Sequence, residues 1–196
     1  MSDSPSWTEL WAEHVLLARE YMHEVLTRRG GSRADSALVI ANRARAAARA
    51  LAECYGGGSV GEHLEAATSA MTEELIGLIA ALAGTSNDSM RTSESRVAGY
   101  RAAARSVSDA LAEAARRRGD TETPEAMHTR LLEPLVAALL LATVEYDARH
   151  YLASYDAIST ALSHAITVLA PFMETLIVPA SLTKVGALHL LRRERA

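Results

Sequence analysis

The sequence predicts an all-α fold, an up-down helical bundle of about six helical segments with a buried C-terminal helix. Three observations point to it. The 196 residues include 38 Ala, 25 Leu and 19 Arg, side chains that lose little freedom in a helix. Eleven Gly and five Pro are too few for a loop-rich β chain. Apolar residues recur at three- and four-residue spacing between Gly or Pro breaks, the period of a helix with one buried face. The length suits one domain with a continuous core, assigned to residues 1–178, with a basic amphipathic tail at 179–196.

The first helix is expected over about residues 6–29. Trp7, Trp11, His14, Ala18, Tyr21 and Val25 lie on one seam, and Gly30 and Gly31 stop it. The second, about 32–55, is Ala-rich, so its neighbours can come close, and it ends at Gly56, Gly57 and Gly58. Those glycines resemble a phosphate-cradling loop, yet after a helix they serve as a C-cap and turn. The third opens on a capping box, Ser59 with Glu62, and carries Leu64, Thr68, Met71, Leu75, Leu78 and Leu82 on one face. Residues 85–95 are polar and read as the longest loop. Val97, Tyr100, Ala104, Val107 and Leu111 make a fourth seam. It ends in Arg116, Arg117 and Arg118 before Gly119, where cations complement the helix dipole.

Thr123 followed by Pro124 starts a fifth helix. Pro134 has no N–H and its ring crowds the preceding turn, so a kink or break is expected near residues 131–133. The sixth segment spans about 147–170. From His150 to Met173 its only formal charge is Asp156, so it is expected to be central and buried on most sides, or to form a homodimer interface. Serines and threonines spread through it argue against a membrane span, and the uncharged run 135–144 is half the length a span needs. Pro171 and Pro179 are expected to end the helical run. The tail carries Leu182, Val185, Leu188, Leu190 and Leu191 with Lys184, Arg192, Arg193 and Arg195, and could dock as a short helix, touch a partner or an anionic surface, or be disordered.

Charge narrows the partners. Residues 1–120 hold 14 Arg against 16 acidic residues, and residues 121–196 hold 6 basic against 8 acidic, so no basic domain points to nucleic acid. One cysteine excludes an intrachain disulfide and any CxxC site. The first ten residues lack a basic stretch with an apolar run, which makes the cytoplasm the expected location. No Walker, HExxH or GxSxG motif is present.

The candidate chemistry lies in histidines and one carboxylate. His14 falls in the apolar seam, where a buried imidazole needs partners for both nitrogens. Asp156, Thr160 and His164 form a polar stripe at i, i+4 and i+8, and a buried Asp156 would need a cation or donor such as His14, Arg19, Arg101 or Arg105. His14, Arg19, Asp156 and His164 are therefore the candidate ligand-binding residues. Two Glu-x-x-His pairs, Glu20 with His23 and Glu125 with His128, have the spacing used by di-iron carboxylate bundles, although both sit near helix ends. The candidate metal set is His14, Glu74, His128 and His164, for a divalent ion; otherwise no cofactor is expected.

These residues also carry a resemblance. Leu10-Trp11-Ala12-Glu13-His14-Val15 with Arg19, the Tyr55–Gly56 turn leading to Gly61, and Tyr155–Asp156 with His164 resemble the pattern of an uncharacterised family of bacterial helical-bundle proteins. The likeness covers roughly residues 7–178. Relatives carry polar residues where this chain has Arg43, Ala46 and Arg49, and histidines near Met71 or Glu74 and near Ser159. The resemblance implies the fold and a polar site, with no established activity attached. The function expected is a non-catalytic binding or interaction module with an interior polar site for a small ligand or protein partner. The alternative is a metal-dependent His/carboxylate enzyme.

Overall fold

The computed structural model describes residues 6–27, 34–55, 58–84 and 88–176, and these hold six helices and no strand. They are α1 (Trp7–Thr27), α2 (Ala34–Tyr55), α3 (Ser59–Ala83), α4 (Asp88–Arg116), α5 (Pro124–Asp147) and α6 (151–176). The predicted all-α bundle is what forms. Each helix packs on the next in sequence, and α1 also meets α3, α5 and α6. The tail, 179–196, lies outside the described residues, as do the turns expected at Gly30–Gly31 and Gly56–Gly57.

α1 begins with a capping box of Ser6 and Glu9. The Ser6 amide donates to Glu9 Oε2 at 2.7 Å, and the Glu9 amide donates back to Ser6 Oγ at 3.2 Å. The box expected at Ser59 does not form, because the helix starts one residue earlier than that box requires. Gly58, at φ 97°, is the N-cap, and Ser59 Oγ instead accepts from Arg117 at 3.0 Å. The polar stretch read as a loop is helical from Asp88 onward. A polar sequence still forms a helix when its buried face begins further along, here at Tyr100. α4 stops as expected at Gly119, φ 89°, where Gly119 and Asp120 amides return to Arg116 and Ala115 carbonyls.

Neither Pro134 nor Pro171 breaks its helix. α5 widens into a π turn at His128–Leu132 and α6 at Ala165–Leu169. In both, the residue just before the proline makes the wide bond: Glu133 N–H to His128 O, and Ala170 N–H to Ala165 O. The extra residue per turn moves the preceding carbonyl away from the pyrrolidine ring, so the helix resumes instead of ending. The two wide turns touch each other. His164 Nε2 donates to the Leu131 carbonyl at 2.7 Å, and the Arg130 guanidinium lies 5.0 Å over the Phe172 ring.

The central helix is α1, not α6. Ten of the 21 residues of α1 are buried, including Trp11 and Met22. Only Ser154, Ala157, Ile158 and Ala161 are buried among the 14 residues of the first part of α6. Its charge-poor outer face is exposed, and its hydroxyls turn back on the helix: Ser159, Thr160 and Thr167 each donate to the carbonyl four residues back. By length and composition, Ser59–Ala83 and Pro124–Asp147 are apolar enough to cross a membrane. Their large side chains, among them Leu64, Met71, Leu131 and Leu139, belong to the shared core, and a span is not indicated.

Candidate functional site

The expected interior cluster does not assemble. Asp156 is exposed on the outer face of α6, and none of His14, Arg19, Arg101 or Arg105 pairs with it. Arg19 is exposed as well. His14 is buried, edge-on to Trp11 with ring centroids 5.7 Å apart, and neither ring nitrogen has a hydrogen-bond partner among the described residues. Desolvation holds its pKa down at about 4, so it is a neutral ring in the core. His164 is half-buried and committed to the Leu131 carbonyl. Sequence period placed these residues on inward faces, but Asp156 and Thr160 sit on an α6 face that the bundle leaves in solvent, and His164 turns toward α5 instead of toward them.

The metal set is also dispersed. Glu74 pairs with Arg96 at 3.1 Å, and the pair fills notches left by two glycines where α3 meets α4. A Cβ at Gly99 would come within 2.6 Å of the Glu74 carboxyl, and one at Gly77 within 2.7 Å of the Arg96 guanidinium. Glu74 is therefore a packing element. The first Glu-x-x-His pair is split: Glu20 faces Arg43 at 3.5 Å, and His23 Nδ1 meets the Tyr146 hydroxyl at 2.6 Å. Among the described residues no group of three His, Cys, Asp or Glu could hold a metal ion.

His128 stands in a different setting. It lies in the π turn of α5 and lines a polar cleft of about 510 Å³ between α4 and α5, together with Arg105, Asp109, Glu125, Thr129 and Glu133. A smaller hollow continues the cleft toward Arg101, Val136 and Ala137. Arg105 and Asp109 share a face of α4 at i, i+4, while Glu125 and His128 share one of α5 at i, i+3. The π turn adds Glu133. In an α-helix the residues above His128 would be Leu131 and Leu132, both buried here. The wide turn brings Glu133 over it instead, and Glu133 is the charge that most favours the protonated ring.

The tautomer of His128 follows from its partners. The Ser108 hydroxyl has one proton, so it makes both of its contacts, to the Ala104 carbonyl at 3.1 Å and to His128 Nδ1 at 3.2 Å, only by donating to the carbonyl and accepting from Nδ1. Nδ1 therefore carries the proton in the neutral ring, and Nε2 keeps its lone pair. Desolvation is the main cause lowering the His128 pKa, Arg105 lowers it further, and Glu133, Asp109 and the Ala104 carbonyl oppose them. The ring is thus a neutral acceptor at pH 7. Arg105, Asp109, Glu125 and Glu133 form no ion pairs with one another, whereas Arg43, Arg45, Arg96, Arg117 and Arg130 each hold a carboxylate.

The sequence offered two signals for this place, the second Glu-x-x-His pair and the expected distortion before Pro134. It gave no signal for Arg105, Asp109 or Glu133 as companions of His128, because a 3.6-residue period does not place residue 133 over residue 128. No protein-family model, curated protein or solved structure matches the chain. The resemblance to a bacterial bundle family therefore stands on its short motifs alone.

Proposed function

We propose that this bundle is a binding module that takes a small polar ligand in the α4–α5 cleft. The observation that supports it is the arrangement at His128: an acceptor Nε2, fixed by the Ser108–Ala104 group, in a cleft whose charged side chains form no ion pair among the described residues. A widened helical turn at such a place is common in functional sites. Arg105 suits an anionic group of the ligand, Nε2 a hydroxyl or amine donor, and Glu133 with Asp109 a positive charge. Small zwitterions fit that set. The Ser108 hydroxyl beside His128 is buried and held by the Ala104 carbonyl, out of reach of a ligand in the cleft, so binding without turnover is the better reading. The metal-dependent alternative has no observation in its favour.

The test is ¹⁵N-histidine NMR of the full chain titrated with glycine, acetate and inorganic phosphate. The free protein should show His128 as the Nδ1–H tautomer, and glycine or acetate should shift its Nε2 resonance. Arg105→Ala should remove that shift and leave the His23 and His164 signals in place. A His128 ring in the other tautomer, or one that responds to none of the three probes at millimolar levels, would discard the reading.

A further inference from the structure

A second surface lies at the other end of α5. Leu141 and Val144, 52% and 56% exposed, form one wall of an apolar groove of about 660 Å³. Its other walls include Leu78 of α3, Val97 of α4 and Leu140 of α5. The first turns of α6 pack beside the same stretch of α5, where Ser154 Oγ donates to the Ala142 carbonyl at 2.8 Å. They carry Leu152, 82% exposed, with Tyr151 at 42% and Tyr155 at 45%. A hollow and a protruding apolar knob thus flank one exposed helical stretch. Clustered apolar exposure of this kind marks an interaction surface.

We propose that this surface is a two-fold interface between two copies of the chain. In such a contact the same patch meets itself, so a residue in the hollow of one copy touches the knob of the other, and the reverse. Leu141 and Val144 lie near the axis, and Leu152 of each copy enters the groove of its mate. Charge supports this occupant. Arg101 lines the groove and Asp156 lies one turn after Leu152, and neither side chain has a partner among the described residues. Exchange of the knobs brings Asp156 of one copy to Arg101 of the other, twice per dimer. The inference is independent of the ligand cleft, which uses Arg105 and His128.

Sedimentation equilibrium of the full chain tests it. A dimer is expected at micromolar concentration. Leu152→Glu should raise the dimer Kd by about 100-fold, and its far-UV spectrum should be unchanged because the site is exposed. Arg101→Asp should raise Kd by about tenfold, and the double variant Arg101→Asp with Asp156→Arg should recover most of that loss. A monomer at 100 µM (on the order of ten times working concentration) overturns the proposal, as does a dimer indifferent to Leu152→Glu or a charge swap that fails to rescue. A monomer in which Leu191→Glu shifts the Leu140 and Val144 methyl resonances would give the groove to residues 177–196 instead.

Discussion

α1 and the first part of α6 differ in the opposite sense to their charge. α1 carries Glu9, Glu13, Arg19, Glu20 and Glu24 and is the most enclosed helix of the bundle. Residues 151–164 carry only Asp156 and leave most of their length exposed. The difference lies in where polar groups are satisfied. In α1 the acidic residues gather on a stripe that reaches α2, where Arg43 lies 3.7 Å from Glu13 and 3.5 Å from Glu20, and the remaining surface meets α3, α5 and α6. In α6, hydroxyls bonded to their own backbone give a neutral face that water tolerates. A census of charges along a helix reports how its polar side is solvated. It does not report how much of the helix is buried.

The largest test of this contrast is truncation in each helix. Trp11→Ala should cost about 3–5 kcal/mol of unfolding free energy, since Trp11 is 1% exposed and its indole N–H reaches Met173 Sδ at 3.2 Å. Thr160→Ala on the outer face of α6 should stay within about 0.5 kcal/mol. Urea titrations of both variants decide it, and comparable losses would mean that α6 is packed more like α1 than its exposure suggests.

His14 sharpens the same contrast through pH. Its native pKa of about 4 lies below the ordinary value of 6.5, so the unfolded chain binds the extra proton first. Its contribution is therefore full above pH 6.5 and is lost as pH falls toward 4, by about 3 kcal/mol in all. His14→Leu should flatten that part of the stability–pH curve and raise stability at pH 7, because it removes two buried nitrogens without partners. A curve unchanged by the substitution would show that His14 is solvated in the folded protein.

The smallest expected effect is at the turn leading into α6. Arg149 has φ 66°, a left-handed conformation, and the Arg149 and His150 amides return to Tyr146 and Glu145 carbonyls. Arg149→Gly should stabilise the chain by about 1 kcal/mol, read as a rise in Tm, because glycine adopts that conformation without the Cβ clash. A fall in Tm would mean that the arginine side chain contributes more than the strain it causes.

Much of the fold was legible because it rests on local chemistry. The Thr123–Pro124 start, with Thr123 Oγ1 accepting from the Ala126 amide at 3.2 Å, and the Gly119 stop depend only on neighbouring residues. The seam from Tyr100 to Leu111 is buried throughout, as its spacing requires. The site was far less legible. Seven-residue spacing could say that His14 faces inward but not that nothing polar waits there. It could flag Pro134 as a distortion but not that the distortion is a widened turn.

The sequence by itself determined an all-α bundle, most helix boundaries and the apolar seam of each helix, since propensity, capping and period act within a few residues. Only the tertiary structure decided that α1 is central, that Asp156 faces solvent, and that His128, Arg105, Asp109 and Glu133 share a cleft. Those outcomes depend on how six amphipathic cylinders divide a limited core among themselves and on a π turn that shifts the register of α5. Both are set by contacts between residues distant in the chain, which no local pattern encodes.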